Sequence, residues 1–436
     1  MGHILHPSEV DYYISSFKTS KLEEIGSLGW FGKHKRLLQL HQQSILEVNE
    51  SMVESVKELT AFHKKTINLV EEAITMSIWR EKIFKELLKL DIKQECSFFV
   101  YVIMFHETTA LGLLQNILYH QDAASELGDF ALELVDYCTA NIIRLTANDM
   151  SDDVEDLPLL DNLKNKEKNI AFDIGTRSVS VIRFLIETLA DLPLSVTTRI
   201  YDKHDVPLLL CQLVNVSPWT RTDDKGRLFK YVDSKWNQIA ASDRHVVTVT
   251  EGQVWLALRH LLLDERCQTH YEIDACRRSH LLKLQCHLSE PVLDQISPLA
   301  ELKYFLSRLE IMDPSSTRAT DSKKPFILEV VTDYRSSLAD QPRKYFKKLA
   351  KNQLEVFDSL LRDGGAVDLA KDMAAAYETL DQVDAESAKC GNCGEVAKRF
   401  CSRCKLEYYC GRECQVKAWP KHKNICETYG GDRSTK

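Results

Sequence analysis

The sequence predicts a mainly α-helical protein, a body of stacked helix pairs followed by a small C-terminal finger built on two metal ions. Three observations carry this prediction. Apolar residues recur three and four apart from about Asp11 to Asp381. Several segments are apolar around most of their circumference, as helices packed on two sides must be. Seven cysteines and one histidine crowd the last tenth of a 436-residue chain.

The helical pattern is explicit along the chain. Residues 64–90 repeat Ile67, Val70, Ile74 and Ile78, then Ile83, Leu87 and Leu88, and residues 102–120 and 128–146 form two further apolar-striped segments. This gives an N-terminal helical region over residues 1–147. An acidic block and then a basic block over residues 148–169 predict a mobile loop. Residues 170–312 read as a helical repeat region. In it Val179, Val181, Ile182, Leu185, Ile186 and Leu189 would bury most of one helix, and Asp205 is placed to cap the next, with Pro207 in its first turn. Helices of this length, several apolar all round, fit armadillo or HEAT-like stacking better than an amphipathic bundle.

One interruption is β-like. Phe229, Tyr231, Trp236 and Ile239 flank an Asp233-Ser234 turn and predict a surface hairpin near residues 227–240. Residues 313–325 have linker composition, residues 326–380 read as C-terminal helices, and Gly364-Gly365 and an acidic connector lead into the finger at 388–428. Residues 429–436 read as a disordered tail. Trp79, Trp219 and Trp255 sit in apolar helical contexts and are expected in the core.

Composition narrows the function. A formal charge of −8 gives no overall attraction for phosphate polymers or anionic lipid. Cys96, Cys138, Cys211, Cys267, Cys276 and Cys286 are scattered with no disulfide framework, which indicates a reducing compartment. The N-terminus lacks a basic segment followed by an apolar one, no run is expected to span a membrane, and His6 stands where a myristoylation motif after Gly2 wants Ser or Thr. A soluble, cytoplasmic protein is expected.

The cysteine-rich tail carries the chemistry. Cys390, Cys393, Cys401, Cys404, Cys410, Cys414, His422 and Cys426 follow the pattern C-x2-C-x7-C-x2-C-x5-C-x3-C-x7-H-x3-C. Zinc takes four tetrahedral thiolate or imidazole ligands, so eight ligands fill two sites and leave no open position for substrate. The two Zn2+ are therefore read as structural. Spacing alone allows sequential or interleaved pairing of the ligands. Gln415 and Trp419, four apart on the helix that begins near Cys410, share a face beside the metal ligands.

Other constellations do not rise to sites. His106-Glu107 begins like H-E-x-x-H, but Ala110 stands where the second histidine belongs. His260, His270, His280 and His287 lie near Cys267, Cys276 and Cys286 without paired spacing. No nucleophile elbow, phosphate-binding loop or dinucleotide fingerprint is present, so catalytic residues are assigned to none. The finger carries only about one net positive charge once its zinc thiolates are counted, too little for nucleic acid. The lysine run at Lys347, Lys348 and Lys351 reads as a solvated face.

The string from Lys389 to Cys426 resembles a MYND-type zinc finger at every ligand. That resemblance implies interleaved pairing: Cys390, Cys393, Cys410 and Cys414 on the first zinc, Cys401, Cys404, His422 and Cys426 on the second. It also implies partner binding through Gln415 and Trp419, with Ser402 and Tyr408 beside them, to an extended proline-containing peptide. The segments SPWTR (Ser217 to Arg221), GQVWLALRHLLL (Gly252 to Leu263) and HLLKLQ (His280 to Gln285) extend the likeness into the body. They are similar to a family of cytoplasmic assembly factors for axonemal dynein arms that end in such a finger. Membership would imply a non-enzymatic co-chaperone. Its partners would be a leucine-rich-repeat assembly factor at the finger, a heat-shock chaperone of the ninety-kilodalton class and an immunophilin co-chaperone, with dynein chains as clients. Its location would be the cytoplasm, including centriolar satellites or the cilium base. The alternatives are a MYND-containing transcriptional corepressor adaptor and, with less support, a SET-type lysine methyltransferase.

Overall fold

The protein is described from a computed structural model covering residues 4–49, 53–147, 157–223, 226–232, 234–311, 333–362, 365–386, 390, 392–393, 397, 399–400 and 408–429. Helices α1 (Pro7–Ser15), α2 (Leu28–Asn49), α3 (Ser55–Phe62) and α4 (Thr66–Ile78) open the chain. The helical path continues through one wide turn at Trp79–Phe84 into α5 (Lys85–Leu87). Next come α6 (Ser97–Leu118), α7 (Gln121–Ser125), α8 (Ala131–Thr146) and α9 (Leu159–Glu187). Then follow α10 (Leu194–Thr198) and α11 (Val206–Val216), whose N-cap Asp205 accepts a hydrogen bond from the Leu208 amide at 3.3 Å.

Strands β1 (Thr220–Thr222), β2 (Leu228–Val232) and β3 (Lys235–Ile239) make an antiparallel sheet in that order. The second half of the body holds α12 (Val249–Leu263), α13 (Glu265–His270), α14 (Ala275–Lys283), α15 (Glu290–Gln295) and α16 (Leu299–Ile311). It closes with α17 (Tyr334–Ala339), α18 (Arg343–Arg362) and α19 (Gly365–Glu386).

The helices stack in layers that follow the chain. α6 packs on α2 and α4, α9 on α6 and α8, α12 on α9 and α11, and α16 on α12 and α14. One continuous apolar core runs from Leu5 to Met373 through all of these layers. The fold is mainly α with few strands, as the periodicity predicts. α6 is buried on nearly every side, as a core helix; together with the turn before it, Gln94–Leu118 is long and apolar enough to cross a membrane, which the composition reading overlooked, but most of it is covered by protein.

Several local expectations are corrected. The loop predicted over residues 148–169 ends by residue 158, because α9 begins at Leu159. Leu163 is buried, Glu167 accepts from Arg80, and Lys166 lies over the Tyr101 ring, so residues four apart on the charged segment have work to do in the core and along its rim. The expected hairpin has a third strand, and it is no mere surface feature. Phe172 of α9 packs edge-on against Tyr231 with ring centroids 4.7 Å apart, and Asp173 accepts from Ser234 at 2.8 Å. Trp79, Trp219 and Trp255 are core residues, although Trp219 lies between α11 and β1 and not in a helix. α19 runs on to Glu386, through most of the expected acidic connector. The linker at 313–325, the acidic residues at 148–156 and the tail beyond 429 lie outside the described residues.

The C-terminal helices return to the first layer. α17 packs on α4, α18 on α5 and its preceding turn, and α19 on α2. Polar contacts fix this return: Trp79 donates to Gln353 at 3.0 Å, Arg335 donates to Glu81 at 2.8 Å, and Gln42 donates to the Ala376 carbonyl at 2.6 Å. α19 is thereby anchored on the body before the chain enters the finger.

Candidate metal centre and partner surface

The finger is organised by its cysteines. Two short strands, β4 (Arg399–Phe400) and β5 (Tyr408–Tyr409), pair antiparallel, and α20 (Arg412–Tyr429) follows directly. Cys410 closes β5 and Cys414 lies in the first turn of α20, where a four-residue step returns the backbone to the same side. Buried Cys390, Ala397, Tyr409 and Ala418 make a separate small core, with Cys410 and Cys414 packed against it. Among the described residues this core is too small to hold a fold alone, and metal binding supplies stability in modules of this kind.

The structure brings Cys390, Cys393, Cys410 and Cys414 together, with all four Sγ atoms within 4.8 Å of one another. Three of the separations are 3.4, 3.5 and 3.7 Å. A tetrahedron with Zn–S bonds near 2.3 Å has edges of about 3.8 Å, so the quartet fits one zinc with every coordination position filled by protein. Asn392 Nδ2 donates to Cys414 Sγ at 3.4 Å, a second layer that orients the ligand. Burial works against the Cys390 thiolate, but hydrogen bonding with the backbone at Cys410, Asn392 and Cys393 brings its pKa down to about 6. Hydrogen bonds with Cys414, Cys393 and Cys390 push Cys410 up to about 12. Four thiols this close cannot all ionise by themselves, and a divalent cation is the partner that lets them.

Of the second ligand set, His422 is buried, with its ring edge-on to both Tyr409 and Trp419 at 5.9 Å each. Cys426 stands one turn later on α20, while Cys401 and Cys404 lie outside the described residues, as does Ser402. Tyr408 pairs with Phe400 in the small sheet.

Gln415 and Trp419 lie one turn apart on α20, Gln415 half-buried and Trp419 36% exposed. Trp419 touches the buried His422 and is partly exposed to solvent, and among the described residues it is not part of the finger's small core. Sequence reasoning missed Val416, which is 64% exposed and three residues before Trp419. An exposed valine beside an exposed tryptophan on one helical face is an apolar ridge. The signal was available, since Val416 interrupts an otherwise polar face.

His106 and Glu107 are buried in the middle of α6. Glu107 accepts from Arg80 Nε at 2.9 Å and Nη2 at 3.0 Å, and from the Tyr137 hydroxyl at 2.9 Å. Among the described residues, no group with metal-binding geometry includes His260, His280 or His287, and Cys267 is buried.

The MYND finger family matches residues 390–426. Over 98% of its length the chain is 30% identical to the Zinc finger MYND domain-containing protein 10 homolog of Drosophila melanogaster, covering 99% of that protein. The chain belongs to the zinc finger MYND domain-containing protein 10 family. Likeness to other MYND-bearing proteins is local: Protein CBFA2T2 of Homo sapiens is 24% identical over 23% of the chain and 16% of its own length, and that of Xenopus laevis 29% identical over 22% and 16%. No solved structure matches the chain. Family membership thus covers the helical body as well as the finger, and it points to an adaptor in which the metal is structural.

Proposed function

We propose that this protein is a non-enzymatic adaptor and co-chaperone for the cytoplasmic pre-assembly of axonemal dynein arms, docking partners through its finger. The observation that carries the adaptor reading is the closed thiolate quartet, with Trp419 exposed on the same helix as Cys414. A zinc whose four positions are all protein sulfur has no site for water or substrate, so its chemistry is structural. In this reading Cys401, Cys404, His422 and Cys426 hold a second zinc, and Gln415, Trp419, Ser402 and Tyr408 grip an extended peptide of a leucine-rich-repeat assembly factor. The helical body meets a heat-shock chaperone and an immunophilin co-chaperone, with dynein chains as clients, in the cytoplasm or at centriolar satellites and the cilium base.

End-to-end similarity to one family favours this over the corepressor reading, because the likeness to CBFA2T2 covers less than a quarter of the chain. The methyltransferase reading has less support still, since such enzymes place the finger within a β-rich catalytic domain and the body here is helical. Pull-down from ciliated cells tests the proposal. Trp419→Ala and Gln415→Ala should keep zinc and fold while losing the leucine-rich-repeat partner and retaining the chaperone. Unchanged partners in both variants would refute docking through this face.

A further inference from the structure

The body carries a charged surface that the finger-centred reading does not use. α18 buries Phe346, Leu349, Ala350, Gln353 and Phe357 against the first layer, and turns Lys344, Lys347, Lys348 and Lys351 outward. Lys344 lies three and four residues before Lys347 and Lys348, which lie four and three before Lys351, so the four form one stripe on a single face of the helix. Each lysine therefore has like-charged neighbours at the spacings where charges on a helix interact most, an arrangement that destabilises the helix. None of the four makes an ion pair or hydrogen bond among the described residues, and Glu355, one turn beyond Lys351, makes none either.

Three other cations on or facing α18 and α19 are matched. Arg343 meets Glu86 at 2.9 Å, Lys93 meets Asp358 at 2.8 Å, and Lys35 meets Asp372 at 3.3 Å. The chain carries 64 acidic residues against 56 basic ones, yet among the described residues no carboxylate pairs with the stripe. A self-repelling row in an acid-rich protein is stable enough to persist but gains when an external anion covers it.

We infer that the exposed stripe of α18 is a docking surface for an extended acidic segment of a partner protein. Lys344 and Lys348, like Lys347 and Lys351, are separated by four residues, about 6 Å along the helix axis. Alternate side chains of an extended chain repeat at about 6.6 Å. Acidic residues at every second position of a strand-like segment thus meet successive lysines along the stripe. A membrane surface fits poorly, because the apolar face of α18 is already buried and its one exposed large apolar side chain among the described residues, Val356, lies more than a turn beyond the last lysine. Nucleic acid fits poorly as well: the row lacks the arginine forks and stacking aromatics that reinforce phosphate tracking.

Fluorescence anisotropy on the full-length protein tests this with a labelled peptide of alternating Glu and Ala, its Gln and Ala counterpart, anionic phosphatidylserine vesicles and a short RNA duplex. The acidic peptide should bind, the Gln peptide should not, and affinity should fall severalfold between 50 and 200 mM salt as exposed charges are screened. Lys347→Glu with Lys351→Glu should weaken binding at least ~10-fold, and Lys344→Gln with Lys348→Gln by a smaller factor, with unchanged helical circular dichroism. Lys235→Glu with Lys283→Glu, the same charge change on β3 and α14, should leave the affinity intact. Undiminished peptide binding in the α18 variants, no binding of the acidic peptide by the native protein, or stronger capture of vesicles or RNA than of the peptide would each overturn the inference.

Discussion

His34 and His106 meet nitrogen to nitrogen, Nδ1 to Nδ1 at 2.7 Å, in the fully buried centre of the first helical layer. The direction of every proton around this pair follows from the carboxylate at its end. His106 Nε2 faces Glu72 Oε1 at 2.9 Å and must donate, so His106 Nδ1 accepts from His34 Nδ1–H. His34 Nε2 then accepts from the Tyr377 hydroxyl at 2.9 Å. Glu72 also receives the Ser20 amide and hydroxyl at 2.6 Å each and the Lys33 ammonium at 3.2 Å. One buried chain of hydrogen bonds therefore joins α2, α4 and α6 to α19, the helix that leads to the finger.

Tyr377→Phe should lower global stability by about 1–2 kcal/mol, the cost of leaving a buried acceptor without its donor. Urea denaturation measures this, and hydrogen exchange should place the largest loss of protection in α19. A change confined to residues far from α19 would contradict the arrangement.

Stability should fall with acidification well before the carboxylates protonate. Burial lowers the pKa of His34 well below its ordinary value, with the neighbouring His106 adding to the effect, and burial likewise lowers His106. His41 is lowered to about 3, by burial and then by Arg177. The unfolded chain takes up these protons near pH 6.5 while the fold refuses them, so stability is full above that pH and declines as pH drops below it. Each such imidazole costs about 1.4 kcal/mol per pH unit until its own folded value is reached. Glu72 adds a lower window: burial raises its pKa, but His106 and Lys33 bring it to about 2, so its contribution is present above about 4.5 and lost on approach to 2. Urea midpoints at pH 7.5, 6.5 and 5.5 check the first window, where a flat series would contradict neutral, buried imidazoles.

Glu107→Ala should cost about 3–5 kcal/mol, because it leaves the buried guanidinium of Arg80 with only the partly exposed Glu167 at 3.3 Å and the Tyr137 hydroxyl without its acceptor. Replacing Arg80 and Glu107 together by apolar residues should recover part of that loss. Thermal denaturation of the single and double variants gives the coupling directly.

Gly112 lies where α6 passes α2, and a Cβ there would sit 2.6 Å from the His41 ring and 3.0 Å from Arg177 Nη1. The ring is buried and has little room to retreat, so Gly112→Ala should destabilise by about 1–3 kcal/mol despite the better helix propensity of alanine. A stabilised variant would mean that α2 and α6 are farther apart than described.

Much of this architecture was legible because it depends on local pattern. The Asp205 cap, the buried stripe over Val179 to Leu189 and the turn before Trp236 each follow from spacing and side-chain type. The thiolate quartet was legible as a ligand set, although grouping Cys390 and Cys393 with Cys410 and Cys414 came from resemblance and not from spacing. What remained hidden depends on long-range partners. Nothing in the periodicity of residues 334–386 says that Gln353 meets Trp79, and nothing local says that His34, Glu72 and His106 share one buried network. Polar residues inside a helix read as surface until their partners are known. The charged start of α9 misled for the same reason, since Glu167 is held by Arg80 from another layer.

Native mass spectrometry of the full-length protein at neutral pH tests the closed-metal account most directly. The account predicts a mass increment of two zinc ions, with Cys414→Ser losing metal and the ordered finger while the helical body keeps its melting behaviour. A native protein that carries no zinc, or one whose zinc retains an exchangeable water, would contradict it.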